Sequence, residues 1–393
     1  MKRTLTNLSL VLSGLLAGAL FFEIVLRLIG FSFPLFYRYD VHAGHRLLEG
    51  AEGWYRMEGE AYVRINGQGM RDDREITVRK AQGVYRIAVL GDSFTQAKEL
   101  PVEKSFWRLL EVKLNQCKPF AGKAVEVLNF GVDGYSTAQE LQALRHRVWQ
   151  FQPDMVLLAF YSGNDIQDNS REFATDHMQP TFAYRDGQLV LDDSFLAASR
   201  YQPGLNIIWL MHQQISQYSR VLQLLNKARD MAHQAVRRPT KHASANEGPT
   251  ELFDYHKIYL QPREDSAWEN AWRVTEGLVV QMSREVAAGG ATFVIVTLSK
   301  GIQVHPDSKE REAYARYLGV TDLFYPEKRI QALAKTSRLR LISLAEPFQK
   351  HAEENRVYLH GYPNATVGFG HWNDKGHALA AKMISEELCK TNP

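Results

Sequence analysis

Hydrophobic positions along this chain fall into three regimes. The first thirty residues are apolar almost throughout. After Lys2 and Arg3, an uncharged Leu-rich stretch runs from Leu5 to Phe22 before Glu23 and Arg27 interrupt it. At about 1.5 Å per helical residue that stretch covers roughly 27 Å, close to the hydrocarbon thickness of a bilayer. It predicts a signal anchor over residues 1–34. A cleaved signal peptide competes, because Ala17-Gly18-Ala19 has the small-x-small form that a signal peptidase cuts. The apolar pattern continues past that point, which favours the anchor; a buried helix of the soluble domain is the third reading. Lys2 and Arg3 favour a cytoplasmic N-terminus, so the rest of the chain is expected on the extracytoplasmic (periplasmic) side. Gly14 and Gly18 form a G-x-x-x-G pair, a weak signal for a homodimer through this helix.

Residues 35–83 are polar and aromatic, with frequent glycines. Ala61–Ile65 alternates like a short strand and Asn66-Gly67 is a turn signal. This segment reads as a spacer and lead-in layer. The third regime, residues 84–390, alternates strands and helices. Tyr85–Leu90, Val125–Phe130, Met155–Phe160, Thr292–Thr297 and Leu339–Ser343 are strand runs rich in Val, Ile and Leu. Helical spacing marks about 103–115 and 137–150, a long helix before the fourth strand, and a last one over about 374–388. Such alternation predicts an α/β fold with a five-stranded parallel sheet covered on both faces: a flavodoxin-like three-layer α/β/α sandwich.

Over about 168–265 the alternation stops. Thr181–Tyr184 and Gln188–Leu191 flank Arg185-Asp186-Gly187, which predicts a hairpin. An amphipathic helix is expected over about 205–232, followed by a breaker-rich loop over 237–249. We read this section as an insertion in the sandwich.

Composition narrows the function classes. The balance of 47 Lys+Arg against 44 Asp+Glu leaves a net charge of +3, too weak and too evenly spread for a nucleic-acid partner. The 2 cysteines, Cys117 and Cys389, cannot make a disulfide framework or a four-thiolate zinc site, and whether they pair is left open. The 13 histidines include no H-E-x-x-H pair, so no metal or other cofactor is expected.

In an open parallel sheet, ligands bind beyond the carboxyl ends of the strands. The residues there are Gly91-Asp92-Ser93 after the first strand, Asp133-Gly134-Tyr135 after the second and Gly163-Asn164-Asp165 after the third. Gly370-His371-Trp372-Asn373-Asp374 precedes the last helix. A serine is a poor nucleophile until a base takes its proton, and histidine, titrating near neutrality, is the usual base. The resulting oxyanion needs donors, which the N–H groups of Ser93 and Gly134 and the Asn164 amide could supply. Asp92 and Asp165 read as loop-holding residues. Tyr135, Tyr161 and Trp372 are candidates for a pocket wall, with core packing equally compatible.

This set of blocks resembles the SGNH/GDSL hydrolase family of esterases, lipases, carbohydrate deacetylases and thioesterases, over roughly residues 84–166 and 290–390. The resemblance implies Ser93 as nucleophile, Gly134 and Asn164 in the oxyanion hole and a histidine before the last helix as base. Two departures stand out. The third block has its glycine at 163, directly before Asn164. The family's aspartate three residues before the histidine is replaced by Gly368 if His371 is the base. Asp374 and His377 have the D-x-x-H spacing instead, yet Asn373 or Asp374 looks like the cap of the last helix, which would put His377 in its first turn. His371 is therefore the expected base. Its orienting partner is undetermined: a backbone carbonyl or a carboxylate from elsewhere, Asp374 included.

The expectation is a cofactor-free, membrane-anchored serine esterase. An O-acetylated envelope or exported carbohydrate is its substrate, with a lipid ester as the next choice. An O-acyltransferase of polysaccharide modification uses the same chemistry with a sugar acceptor. A non-enzymatic scaffold with a decayed site is the third reading.

Overall fold

A computed structural model describes residues 2–174, 177–198, 205–237 and 255–390. Helix α1 (Lys2–Leu28) comes first, followed by two antiparallel strand pairs, β1 (Tyr37–Asp40) with β2 (Gly44–Leu47) and β3 (Glu52–Tyr55) with β4 (Ala61–Arg64). The next elements are β5 (Val84–Leu90), α2 (Ser93–Gln96), α3 (Phe106–Cys117), β6 (Ala124–Asn129), α4 (Thr137–His146), β7 (Met155–Phe160) and α5 (Asp165–Asp168). The insertion holds β8 (Thr181–Arg185), β9 (Gln188–Asp192), α6 (Leu205–Tyr218) and α7 (Arg220–Arg237). The chain then continues through α8 (Ala267–Ala288), β10 (Thr292–Thr297), α9 (Ser308–Leu318), α10 (Tyr325–Ser337), β11 (Arg340–Ser343), α11 (Ala345–Asn355) and α12 (Asp374–Cys389).

The five predicted strands form one parallel sheet in the order β11-β10-β7-β5-β6. Strand order reverses between β5 and β7, the doubly wound arrangement in which a crevice opens at the carboxyl ends. Every residue of β7 is buried, which explains why its sequence runs apolar without alternation. Two apolar cores lie on the two faces of the sheet. Trp107, Phe348 and Trp372 help fill one, and Phe151, Phe160 and Trp272 the other.

Three features depart from the sequence reading or complete it. Residues 35–83 do not merely lead in, because Leu47, Leu48, Val63, Ile65 and Met70 are fully buried within the second core. The single helix expected over 205–232 is broken at Ser219, whose hydroxyl accepts from Leu222 N and so caps the start of α7. Cys117 and Cys389 are joined by a disulfide that ties the ends of α3 and α12 across 272 residues of sequence. The expected hairpin is present as β8–β9, with Asp186 and Gly187 both at positive φ in its turn. Of the breaker-rich loop over 237–249, all but Arg237 lies outside the described residues.

Helix α1 contains a 26-residue apolar stretch, Arg3–Leu28, with a mean hydropathy of 2.2 in its best window and none of that window buried. It is long and apolar enough to cross a membrane.

Candidate active site

The sharp turn from β5 into α2 carries Ser93. Asp92 caps α2 by accepting from Phe94 N at 2.9 Å, which fixes Ser93 in the first turn with its side chain at the mouth of the crevice. Burial pushes the Asp92 carboxyl up to about 7, and Asp165 on α5 is raised as well by burial and by the nearby Asp92 charge. Asp165 in turn accepts from Tyr161 N at 2.7 Å. Both aspartates therefore hold the loops on which Ser93 and Asn164 sit.

His371 faces Ser93 from the opposite side, with Nε2 2.8 Å from Ser93 Oγ. Its loop is pinned by a buried hydrogen-bonded chain. Trp372 Nε1 donates to Ser299 Oγ at 3.0 Å, Ser299 Oγ lies 3.0 Å from His360 Nε2, and His360 Nδ1 lies 2.7 Å from the Gly370 carbonyl. Burial depresses the His360 ring to about 4, so it is neutral: Nδ1–H donates to Gly370, which leaves Nε2 to accept from Ser299.

The orienting partner of His371 comes from the lead-in segment. Glu58, in the turn between β3 and β4, has Oε2 2.6 Å from His371 Nδ1 and Oε1 accepting from the His371 backbone N–H at 2.8 Å. Its turn is clasped by Asn364, which accepts from Gly59 N and donates to Gly59 O, both at 2.8 Å. Gly370 leaves room for this carboxylate, since a Cβ there would lie 2.3 Å from Glu58 Oε1. Behind Glu58 lies Glu99, fully buried, with an oxygen 3.6 Å from Nδ1 and neither oxygen hydrogen-bonded within the described residues.

The electrostatics follow from this packing. Burial alone would push the His371 pKa down; the Glu99 charge, the Glu58 hydrogen bond and charge, and Asp133 outweigh it and hold it at about 10. Burial likewise works to raise Glu58, but its hydrogen bonds and attraction to His371 leave its pKa lowered. Glu58, Glu99 and His371 each offer an oxygen or nitrogen within 4.8 Å of one another, a spacing that could also hold a divalent ion. Such an ion would replace the Glu58–Nδ1 contact.

Ser93, His371, Gly134 and Asn164 all line one cavity of about 370 Å3, together with Asp133 and Tyr161. Asn164 Nδ2 donates to Tyr135 O at 2.9 Å, which orients the amide. Gly134 has φ +78°, and the position its Cβ would occupy is open space, so the glycine keeps its N–H side of the cavity clear. Beside it, Lys98 pairs with Asp133, and the Tyr37 hydroxyl lies 3.3 Å from the same carboxylate. A larger cavity of about 670 Å3 between the β8–β9 hairpin and α8 gathers Arg273, Glu276 and Gln281. It holds no pair of nucleophile and base.

The remaining expected residues sit elsewhere. His377 is buried in the first turn of α12, where Nδ1 accepts from Phe106 N at 3.2 Å and burial depresses its pKa to about 3. Asp374 is exposed and pairs with Lys104 at 2.6 Å. Of the aromatic candidates, Tyr161 lines the cavity, whereas Tyr135 and Trp372 are buried, Trp372 in the core. Glu58 escaped the sequence reading because it belongs to no block and lies 313 residues from its partner.

No protein-family model matches this chain, and no curated protein is similar to it by sequence. Solved structures with a related arrangement include LAE5, an α/β hydrolase from the metagenome of Lake Arreo, Spain. It shares 11% identity over 80% of this chain and 99% of its own, with a TM-score of 0.37. Axe2, an acetylxylan esterase from Geobacillus stearothermophilus, shares 11% over 77% of this chain and 94% of its own, at a TM-score of 0.37. The acetyl xylan esterase AlAXEase shares 14% over 77% and 98%, at 0.35. At these values the likenesses carry no argument about chemistry, which rests on the geometry above.

Proposed function

We propose that this chain is a membrane-anchored serine ester hydrolase of the SGNH type, working through a covalent acyl-enzyme. The observation that carries the reading is the continuous line from Ser93 Oγ through His371 to Glu58, with contacts of 2.8 and 2.6 Å. A hydroxyl, an imidazole and a carboxylate in that order can activate the serine, whatever fold presents them.

In this mechanism Ser93 Oγ attacks the ester carbonyl while its proton passes to His371 Nε2. Glu58 holds Nδ1–H and stabilises the imidazolium that forms. The oxyanion is met by the N–H groups of Ser93 and Gly134 and by Asn164 Nδ2. His371 then gives its proton to the leaving alcohol, and a water, deprotonated by the same ring, releases the acid. Glu58 supplies the carboxylate that is missing three residues before His371, which removes the main ground for an inactive scaffold.

The substrate class we assign is an O-acyl ester, foremost an acetyl ester, of an envelope or exported carbohydrate. Two observations support it: an N-terminal helix long and apolar enough to cross a membrane, and a cavity of only about 370 Å3 at the serine. The test is acetate release by the full chain in detergent from p-nitrophenyl acetate and from acetylated oligosaccharides, beside Ser93→Ala. Release abolished by the substitution supports the reading. Acetyl appearing on an added sugar, with none free, would assign a transferase instead.

A further inference from the structure

Part of the insertion is built inside out among the described residues. Helices α6 and α7 bury polar side chains between them and expose apolar ones. Ser216, Gln223 and Asn226 are buried, with Gln223 Nε2 donating to Ser216 O at 3.0 Å and Asn226 Nδ2 to Ser216 Oγ at 3.3 Å. On α6, Ile207, Ile208, Met211, Ile215 and Tyr218 are 53–71% exposed. At about 100° per residue these five positions fall within roughly one 100° stripe, and Ser216 lies on the other side of the helix. On α7, Leu224, Leu225 and Met231 form a second exposed apolar row. A face of this kind marks contact with something other than water.

The anchor identifies that contact. The junction of α6 and α7 is clasped to the last turns of α1. Arg27 donates to Tyr218 O, and Glu23 accepts from Ser219 Oγ at 3.2 Å and from Val221 N at 3.1 Å. Just beyond α1, Phe33 N donates to Gln223 Oε1 at 2.9 Å. The turn of the hairpin therefore sits where the apolar segment Leu5–Phe22 ends, at the level of the bilayer interface. Leu28 and Ile29, exposed at 81% and 69%, extend the apolar surface between them.

We propose that α6 and α7 are an interfacial membrane-binding hairpin, laid on the leaflet that α1 leaves, with the Ile208 and Leu225 rows in the headgroup–acyl boundary. The proposal rests on the reading of α1 as a membrane span. The hairpin also reaches the site: Gln213 Nε2 donates to Tyr37 O at 3.1 Å, and the Tyr37 hydroxyl contacts Asp133 in the cavity wall. The domain is thus held against the bilayer by three helices and does not swing on a free tether.

The test uses the full chain reconstituted in phosphatidylcholine–phosphatidylglycerol vesicles. The native cysteines are tied to each other, so a single new cysteine can carry an environment-sensitive fluorophore. The variants are Ile208→Cys and Leu225→Cys in the hairpin, Leu12→Cys in α1, and Val112→Cys, which is 50% exposed on α3, as the water-facing control. We expect the two hairpin probes to be quenched several-fold more by lipids spin-labelled near the headgroup than the α3 probe, and to resist aqueous iodide. The Leu12 probe should respond to lipids labelled near the chain end. Hairpin probes quenched by iodide like the α3 probe, with Leu12 still quenched by lipid, would overturn the proposal and leave the anchor intact. Hairpin probes shielded from both quenchers would overturn it in favour of a second copy or a protein partner. Loss of lipid quenching at Leu12 would remove the anchor reading, and the proposal with it.

Discussion

Replacing Glu58 by glutamine keeps the size of the side chain and removes the property on which the relay depends. In the native geometry both carboxylate oxygens accept, Oε1 from the His371 backbone N–H and Oε2 from the ring at Nδ1. An amide has one acceptor and one donor. Seated in either orientation, the substituted amide sets a donor against a donor: at the backbone, or at Nδ1. The second arrangement keeps the backbone bond but makes Nδ1 the acceptor, so the ring proton moves to Nε2, which can then no longer take the Ser93 proton. The lost charge-assisted hydrogen bond alone is about 1.5–3 kcal/mol, or roughly 10- to 150-fold in rate. With the wrong tautomer added, the loss approaches the roughly 10,000-fold known for amide replacement of a triad acid. For Glu58→Gln we expect kcat/KM to fall between about 100- and 10,000-fold, with the folded state retained by circular dichroism.

The same substitution has a pH signature. His371 is active as a base only when neutral, and Glu99 and Glu58 hold its pKa at about 10 against the effect of burial. The kcat/KM of the native protein should therefore rise with pH, with its midpoint above the ordinary histidine value of about 6.5. Glu58→Gln should move that midpoint down. For stability the sign is opposite. The contribution of His371 is complete below about pH 6.5 and is lost as pH rises towards its raised folded value; that of Glu58 is present above its unfolded value and is lost as pH falls through its lowered one. A full-rate Glu58→Gln variant, or a midpoint unmoved or moved upward, would refute the relay.

Three further outcomes follow from the same geometry. Asn164→Ala should lower kcat by about 100- to 1,000-fold with little change in KM, and Gly134→Ala should lower activity while costing about 1–2 kcal/mol in thermal unfolding, because φ is positive there. His377→Ala should keep its ester hydrolysis and lose about 1–3 kcal/mol of stability, since the ring packs against Phe106 and Trp372 in the core. Chelator treatment followed by a hydrolysis assay should leave activity unchanged; loss restored by a divalent ion would place that ion among Glu58, Glu99 and His371.

The sheet was legible because apolar runs such as residues 293–296 and Met155–Phe160 report burial on both faces directly. That Ser93, Gly134, Asn164 and His371 would meet at one cavity was also legible, because each lies in a loop after a strand or before the last helix. What stayed hidden depends on contacts remote in sequence. The Glu58 turn becomes meaningful only when Asn364 and Gly370 close around it, and the disulfide only when α3 and α12 lie side by side. The break at Ser219 is masked by an apolar rhythm that continues through both helices. Such a rhythm does not say which way its apolar face points, and in the structure it points outward.

The most direct test of the central claim is covalent. A fluorophosphonate reacts with a serine only when a neighbouring base and an oxyanion site activate it. Full-length protein should be labelled stoichiometrically, with the adduct mapped by mass spectrometry to Ser93. Labelling should vanish in Ser93→Ala and His371→Ala and persist in His377→Ala. A folded protein that takes no label, or one labelled at another serine, would contradict the account.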